Sequence, residues 1–161
     1  MAYTTLGIGD LAAESGPGNF IQTMALGSCI AVILHDHAGR AGGMAHVALP
    51  DSALAPEKAR ELPGYFADTA VAALMDRIAR KAGLARLKPV VKLVGGANMM
   101  DGSNSFNIGQ RNLAALRRAL ELHGLGVYLS DVGGNFSRNV SLDAHSGHVR
   151  VWSPRIGAWS L

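Results

Sequence analysis

One thiol and one imidazole frame the chemistry open to this chain. Cys29 is its only cysteine, and His46 follows seventeen positions later. A free thiol titrates near about pKa 8.5, so little is thiolate at neutral pH. A neighbouring imidazole can take the proton, hold the thiolate as an ion pair and later protonate a leaving group. Thr23 lies six residues before the cysteine. If the chain bends at Gly27-Ser28, its side chain or carbonyl reaches His46 and orients the ring, the third role in triad logic. Gly27 lets backbone approach a substrate closely, and N–H groups near Ser28 and Cys29 can form part of an oxyanion hole. By residue type alone a second reading stays open: Cys29 as a buried core thiol and His46 as a core histidine with satisfied hydrogen bonds.

Two strands would have to position this pair. Residues 29–35 (CIAVILH) and 43–49 (GMAHVAL) are apolar runs around Asp36-His37-Ala38-Gly39, which reads as a β-hairpin. A turn centred between His37 and Ala38 places Cys29 directly opposite His46. Opposed side chains have Cβ atoms about 4.5–5.5 Å apart, within reach of a thiol–imidazole hydrogen bond. A bulge at Gly42-Gly43 would instead put them on opposite faces.

The rest of the chain gives a scaffold of alternating short elements. Strands are expected over 4–10 and 20–26, with a turn over 14–19 between them. After the hairpin comes a polar loop, residues 51–64, that either walls a substrate cleft or caps a sheet end. Residues 65–82 carry Phe66, Ala70, Leu74, Ile78 and Ala82 at helical spacing, with Asp68 early, Arg77, Arg80 and Lys81 late, and Gly83 as a stop. A buried-type strand over 88–94 runs into Gly95-Gly96, read as a tight turn because no phosphate-loop pattern surrounds it. A polar turn over 103–109, a helix over 109–123 with Leu113, Leu116 and Leu120 inward, and a strand over 126–132 follow. That strand also ends in paired glycines, Gly133-Gly134, echoing the earlier corner. A last hairpin joins 139–144 to 148–153, and Trp159 in the tail is expected to pack against the body. This order is not strict strand–helix alternation; it suggests a mixed-sheet α/β protein with helices on the sheet faces.

Composition narrows the function classes. With 161 residues, 48% hydrophobic, the chain suits one domain spanning 1–161. A single cysteine fits a reducing compartment, and neither an apolar run long enough to span a bilayer nor a secretory start is read, so the expectation is cytoplasmic. The net charge of +3 is scattered and aromatics are 6%, which argues against nucleic-acid binding. His35-x-His37 and His145-x-x-His148, both placed around turns, lack the Cys or carboxylate companions of a zinc site, so no metal or cofactor is expected. Ser28 lacks the G-x-S-x-G setting of a serine nucleophile, leaving Cys29 as the better one. Compact size suggests a monomer.

Seven segments together resemble the CheD family of chemoreceptor glutamine deamidases: LGIGD at 6–10, TMALGSC at 23–29, GGMAHVALP at 42–50, YFADTAV at 65–71, VGGANM at 94–99, FNIGQRN at 106–112 and DVGGNFSR at 131–138. The resemblance implies two packed mixed β-sheets with helices outside, similar to deamidating-toxin catalytic domains. It carries the family's catalytic Cys, His and Thr onto Cys29, His46 and Thr23. It implies hydrolysis of receptor glutamine side chains to glutamate, without a cofactor, in chemotaxis. Methyl-accepting chemoreceptors are the implied substrates and a CheC-type phosphatase an implied partner. One departure is Ala25, where relatives often have Gly; it alters flexibility before the nucleophile without removing activity. Two other classes stand beside this one: an adaptor that binds receptor or phosphatase without turnover, and a Cys-His protease or transglutaminase.

Overall fold

The computed structural model describes residues 1–99 and 107–161. Ten strands form two five-stranded mixed sheets. The first has the order β1 (Ala2–Leu6), β3 (Asn19–Leu26), β8 (Arg138–Asp143), β9 (Val149–Ser153), β10 (Gly157–Ser160). The second has the order β2 (Leu11–Ser15), β5 (Ala41–Val47), β4 (Ile30–Asp36), β6 (Val90–Gly95), β7 (Leu129–Val132). The pairs β1–β3 and β6–β7 are parallel and the others antiparallel. Three α-helices lie among the described residues: α1 (Pro56–Glu61), α2 (Ala67–Ala82) and α3 (Ile108–Leu122).

Strand β4 shows why the layers stack. Every one of its residues is buried. With a side-chain period of two, Ile30, Val32 and Leu34 face one way and join the core beneath α2 and α3. Ala31 and Ile33 face the other way and join Ile21, Met44, Val140 and Val151 between the sheets. A continuous apolar run is what a strand covered on both faces requires. The helices lie on one face of the second sheet only; the outer face of the first sheet meets solvent, where Tyr3 stacks on Phe20 and Arg150 lies over Trp152.

Helix α2 follows its sequence pattern closely. Ala70, Val71, Leu74 and Ile78 are buried, and Gly83 caps the end in the left-handed region at φ 67°. In α3, Leu116 and Leu120 are buried and Leu113 packs partly against the same core. Part of the expected turn over 103–109, and Phe106 of the FNIGQRN segment, lie outside the described residues; Asn107 caps α3 and Ile108 begins it.

Other expectations are corrected. Strand β2 occupies residues assigned in part to a turn, and the reversal is only Gly16–Gly18. Its short, alanine-rich run carries little signal of its own; it forms because β5 pairs with it and α2 covers both. The loop over 51–64 contains α1 and two single-turn helices, Ser52–Leu54 and Pro63–Tyr65. Pro56 opens α1, but six residues are too few to show a helical period. The tail adds β10 alongside β9, and Trp159 does pack on the core between the sheets. The strand expected over 126–132 is shorter, beginning at Leu129, although the Tyr128 N–H already bonds to the Val91 carbonyl.

The hairpin register differs too. Asp36 pairs with Ala41 across a four-residue loop, and Ala31, not Cys29, stands opposite His46. The Asp36 carboxylate accepts the Gly39 N–H at 2.8 Å, and Arg40 adopts φ 49°, so the loop closes later than a turn centred on His37 and Ala38. The pairing slides by two positions, which preserves parity, so Cys29 and His46 remain on one face.

The paired-glycine echo is structural. β6 and β7 are adjacent parallel strands, and each ends in two glycines with positive φ. The corners are tied together, Gly133 N–H to Gly95 carbonyl at 2.9 Å and Asn98 N–H to Gly134 carbonyl at 2.8 Å. Buried Arg138 spans them, donating to the Gly133 carbonyl at 2.8 Å and pairing with Asp131 at 3.3 Å. No helix among the described residues is long and apolar enough to cross a membrane.

Candidate active site

His46 sits in β5 and is 3% exposed. Its Nδ1 lies 2.7 Å from the Thr23 hydroxyl on β3, so the contact bridges the two sheets. The same hydroxyl donates to the Leu6 carbonyl at 2.9 Å. A hydroxyl has one proton and a carbonyl can only accept. Thr23 therefore spends its proton on Leu6 and accepts from His46 Nδ1–H. This assigns the tautomer: Nδ1 carries the proton and Nε2 presents a lone pair. Nε2 is buried with no hydrogen-bond partner among the described residues. The loop 7–10 holds the His46 backbone from both sides, Gly9 N–H to the His46 carbonyl at 2.8 Å and His46 N–H to the Asp10 carbonyl at 3.0 Å.

Cys29 ends the turn that joins β3 to β4. Three successive carbonyls of this turn are pinned. Gly27 accepts from Ala97 N–H at 2.8 Å, Ser28 from Asn112 Nδ2 at 3.1 Å, and Cys29 from Gly96 N–H at 2.8 Å. Gly95 makes the close approach possible; at φ 117° a Cβ there would collide with the Cys29 carbonyl. The N–H groups of Gly27, Ser28 and Cys29 donate to nothing among the described residues.

Cys29 packs against the core between the sheets, on the face His46 shares. It is a diagonal neighbour, at roughly 7–8 Å between backbones. Among the described residues its thiol makes no hydrogen bond to His46. Burial pushes the thiol above its ordinary 9.0. Burial also pushes His46 below 6.5, partly countered by the Asp10 carboxylate. Both shifts disfavour the charged forms, a thiolate at Cys29 and an imidazolium at His46.

A cavity of about 340 Å³ opens beside the turn that carries Cys29, bounded by Ser28, Ala97, Met99, Ile108 and Gly109. A groove of similar volume, about 350 Å³, lies on the outer face of the first sheet among Tyr3, Phe20, Ser141, His148, Arg150 and Trp152.

Four other histidines, His35, His37, His145 and His148, lie elsewhere. His35 is buried in β4, not in a turn, with Nε2 at 3.0 Å from the Ala144 carbonyl and Nδ1 at 2.8 Å from His37 Nδ1. Arg40 reaches His145 Nε2 at 3.0 Å, and His148 Nε2 lies 2.9 Å from the Ser160 hydroxyl. No group of three or more metal-ligating side chains forms among the described residues. Residue types also failed to reveal two supports, the Leu6 carbonyl with the loop after it, and Asn112. LGIGD and FNIGQRN contain them, but a backbone acceptor has no residue signature and a helix asparagine looks like any surface amide.

Geometry thus defines a class: a mixed two-sheet α/β scaffold presenting a cysteine beside a threonine-anchored histidine. The family model described as "CheD: CheD chemotactic sensory transduction" matches residues 48–153. Over the whole chain, 43% of residues are identical to "Probable chemoreceptor glutamine deamidase CheD" of Syntrophotalea carbinolica, itself covered in full. "Probable chemoreceptor glutamine deamidase CheD 2" of Anaeromyxobacter dehalogenans is 45% identical over 95% of this chain and 96% of its own. "Chemoreceptor glutamine deamidase CheD" of Thermotoga maritima is 39% identical over 91% of this chain and 88% of its own. The chain belongs to the CheD family. Thr23, Cys29 and His46 precede the stretch that the family model matches, and the whole-chain relatives extend across them.

Proposed function

We propose that residues 1–161 act as one cytoplasmic deamidase domain that converts glutamine side chains of chemoreceptors to glutamate, with Cys29 as nucleophile, His46 as proton carrier and Thr23 as the residue that orients His46. One observation carries the assignment of roles. The imidazole is anchored at Nδ1, and its Nε2 lone pair is buried and unused on the face that Cys29 shares.

The chemistry follows from that tautomer. As Sγ attacks the amide carbon, its proton passes to Nε2. Unpaired N–H groups of the nucleophile turn stabilise the oxyanion. The imidazolium returns the proton to the amide nitrogen, the C–N bond breaks and ammonia leaves a thioester. Water then gives a proton to Nε2 and attacks the thioester, and the collapsing intermediate restores the thiol and releases glutamate. Each turnover exchanges a neutral amide for a carboxylate, adding one negative charge and a site fit for methylation. We also propose a CheC-type phosphatase as a binding partner of this chain.

The test is incubation with a cytoplasmic chemoreceptor fragment from the same organism, followed by peptide mass spectrometry for glutamine-to-glutamate conversion. Wild type converts specific glutamines, and Cys29→Ala and His46→Ala do not. Full conversion by Cys29→Ala would remove the thiol from the mechanism. No conversion by a folded wild type that still binds receptor or phosphatase would favour the adaptor, and cleaved or amine-crosslinked receptor would favour a protease or transglutaminase.

A further inference from the structure

The geometry points to Asn112 as a positioning residue: from α3, its amide locks the Ser28–Cys29 peptide in the orientation that aims the Cys29 N–H at the oxyanion. This rests on the acyl-transfer chemistry proposed above.

Asn112 is fully buried. Its Nδ2 donates to the Ser28 carbonyl at 3.1 Å and to the Ala48 carbonyl at 3.0 Å. Both neighbours are acceptors only, which fixes which end of the amide faces them. One side chain therefore ties the nucleophile turn to the chain two residues beyond His46.

The Ser28 carbonyl belongs to the same peptide plane as the Cys29 N–H. No peptide bond among the described residues is cis. In a trans peptide the two groups point in opposite directions. Drawing the carbonyl toward Asn112 turns the N–H away from it, and that N–H has no partner among the described residues. The flanking peptides are held by backbone donors, Ala97 N–H on the Gly27 carbonyl and Gly96 N–H on the Cys29 carbonyl. The middle one is held only by a side chain, so one substitution can release it. A flipped peptide would present a carbonyl where the oxyanion needs a donor.

Asn112 Oδ1 is buried with no partner among the described residues. The donors of the same amide satisfy the Ser28 and Ala48 carbonyls, which an apolar side chain would leave unpaired. The amide is kept for what its donors hold.

Two reactions at the same sulfur separate this role from a general structural one. Acylation of Cys29 by p-nitrophenyl acetate passes through a tetrahedral oxyanion, whereas alkylation by iodoacetamide displaces iodide at a saturated carbon and forms none. Both need the thiolate equally. In Asn112→Ala and Asn112→Asp, the acylation rate should fall about ten- to a hundredfold while alkylation stays within about threefold of wild type. Asn112→Asp keeps the volume without the donors and decides the question if the alanine variant does not fold. Rescue in Asn112→Gln, which retains the donors, would support the role further. An acylation-to-alkylation ratio unchanged from wild type, whether both rates fall together or neither moves, overturns the proposal. Receptor deamidation is measured alongside: a wild type that acylates but converts no glutamine would sink the deamidase reading, while the ratio still decides the role of Asn112.

Discussion

Two buried histidines on one hairpin have opposite fates. His35 and His46 are each 3% exposed, and burial depresses the pKa of both. His35 has both ring nitrogens engaged, Nε2 by the Ala144 and His145 carbonyls and Nδ1 by His37. His46 has one nitrogen anchored and one lone pair left over. Burial and a shifted pKa therefore do not distinguish a chemical histidine from a structural one. The role proposed for His46 rests instead on an unspent, buried lone pair on the face that the thiol shares. The satisfied core histidine that residue types left open for His46 exists in this protein, but it is His35.

The hardest test of this contrast is Thr23→Val. It removes the acceptor that fixes the His46 tautomer and leaves the Leu6 carbonyl unpaired in the interior. Receptor deamidation should fall about a hundredfold. That is less than the roughly 10⁴-fold lost when a charged orienting carboxylate is replaced, because threonine stabilises no imidazolium charge. Thr23→Ser should restore most of the rate. A Thr23→Val enzyme at wild-type rate would mean that the ring finds its tautomer without help.

His35→Leu probes the other side. It orphans two carbonyls and the His37 nitrogen, at a cost of about 1–3 kcal/mol, read as a drop in the thermal midpoint of several degrees. Deamidation at a temperature where the variant is folded should stay within about twofold of wild type. A large loss of rate would place His35 in the chemistry and erase the contrast.

pH dependence sharpens it next. Both imidazoles have folded-state pKa values below the ordinary 6.5, so the unfolded chain binds protons that the folded one refuses. Their contribution to stability is present above 6.5 and is lost as pH falls through 6.5 toward the depressed values. Melting curves between pH 8 and 5 should show this loss, and His35→Leu should remove part of it. The deamidation rate should have an acid limb on the same side of 6.5, because a protonated Nε2 cannot take the thiol proton, and this limb should survive in His35→Leu. Cys29 acts in the other direction: its raised pKa means stability is lost as pH climbs above 9.0.

The smallest effect concerns Ala25, between the anchor and the nucleophile. It sits at φ 56°, where β3 shifts register against β8. A left-handed non-glycine residue costs roughly 1–2 kcal/mol, and glycine returns part of that through the freedom of the unfolded chain. Ala25→Gly should raise stability by less than about 1 kcal/mol and leave the rate unchanged, measured by thermal melting and by receptor deamidation. The Ala25 N–H, held by Asn139 at 2.8 Å, keeps the turn in place.

Chain chemistry by itself determined the regular elements whose signals are local. The α2 stripe from Phe66 to Ile78, the glycine that stops it, the apolar run of β4 and the β8–β9 hairpin are all written in residue type and period. So are the singular thiol and the motif spacing that marks the family. Tertiary structure decided what depends on partners far away in sequence. Strand β2 is a strand because β5 and α2 cover it. The hairpin loop closed two residues later than turn composition suggested, because an aspartate accepts a backbone N–H and an arginine takes a positive φ. The tautomer of His46 rests on a threonine from the other sheet and on a carbonyl with no side-chain signature. The orientation of the Cys29 N–H rests on an amide 83 positions away. Periodicity reports burial one element at a time, whereas a hydrogen bond that sets a proton's position belongs to two elements at once, and only the packed fold brings them together.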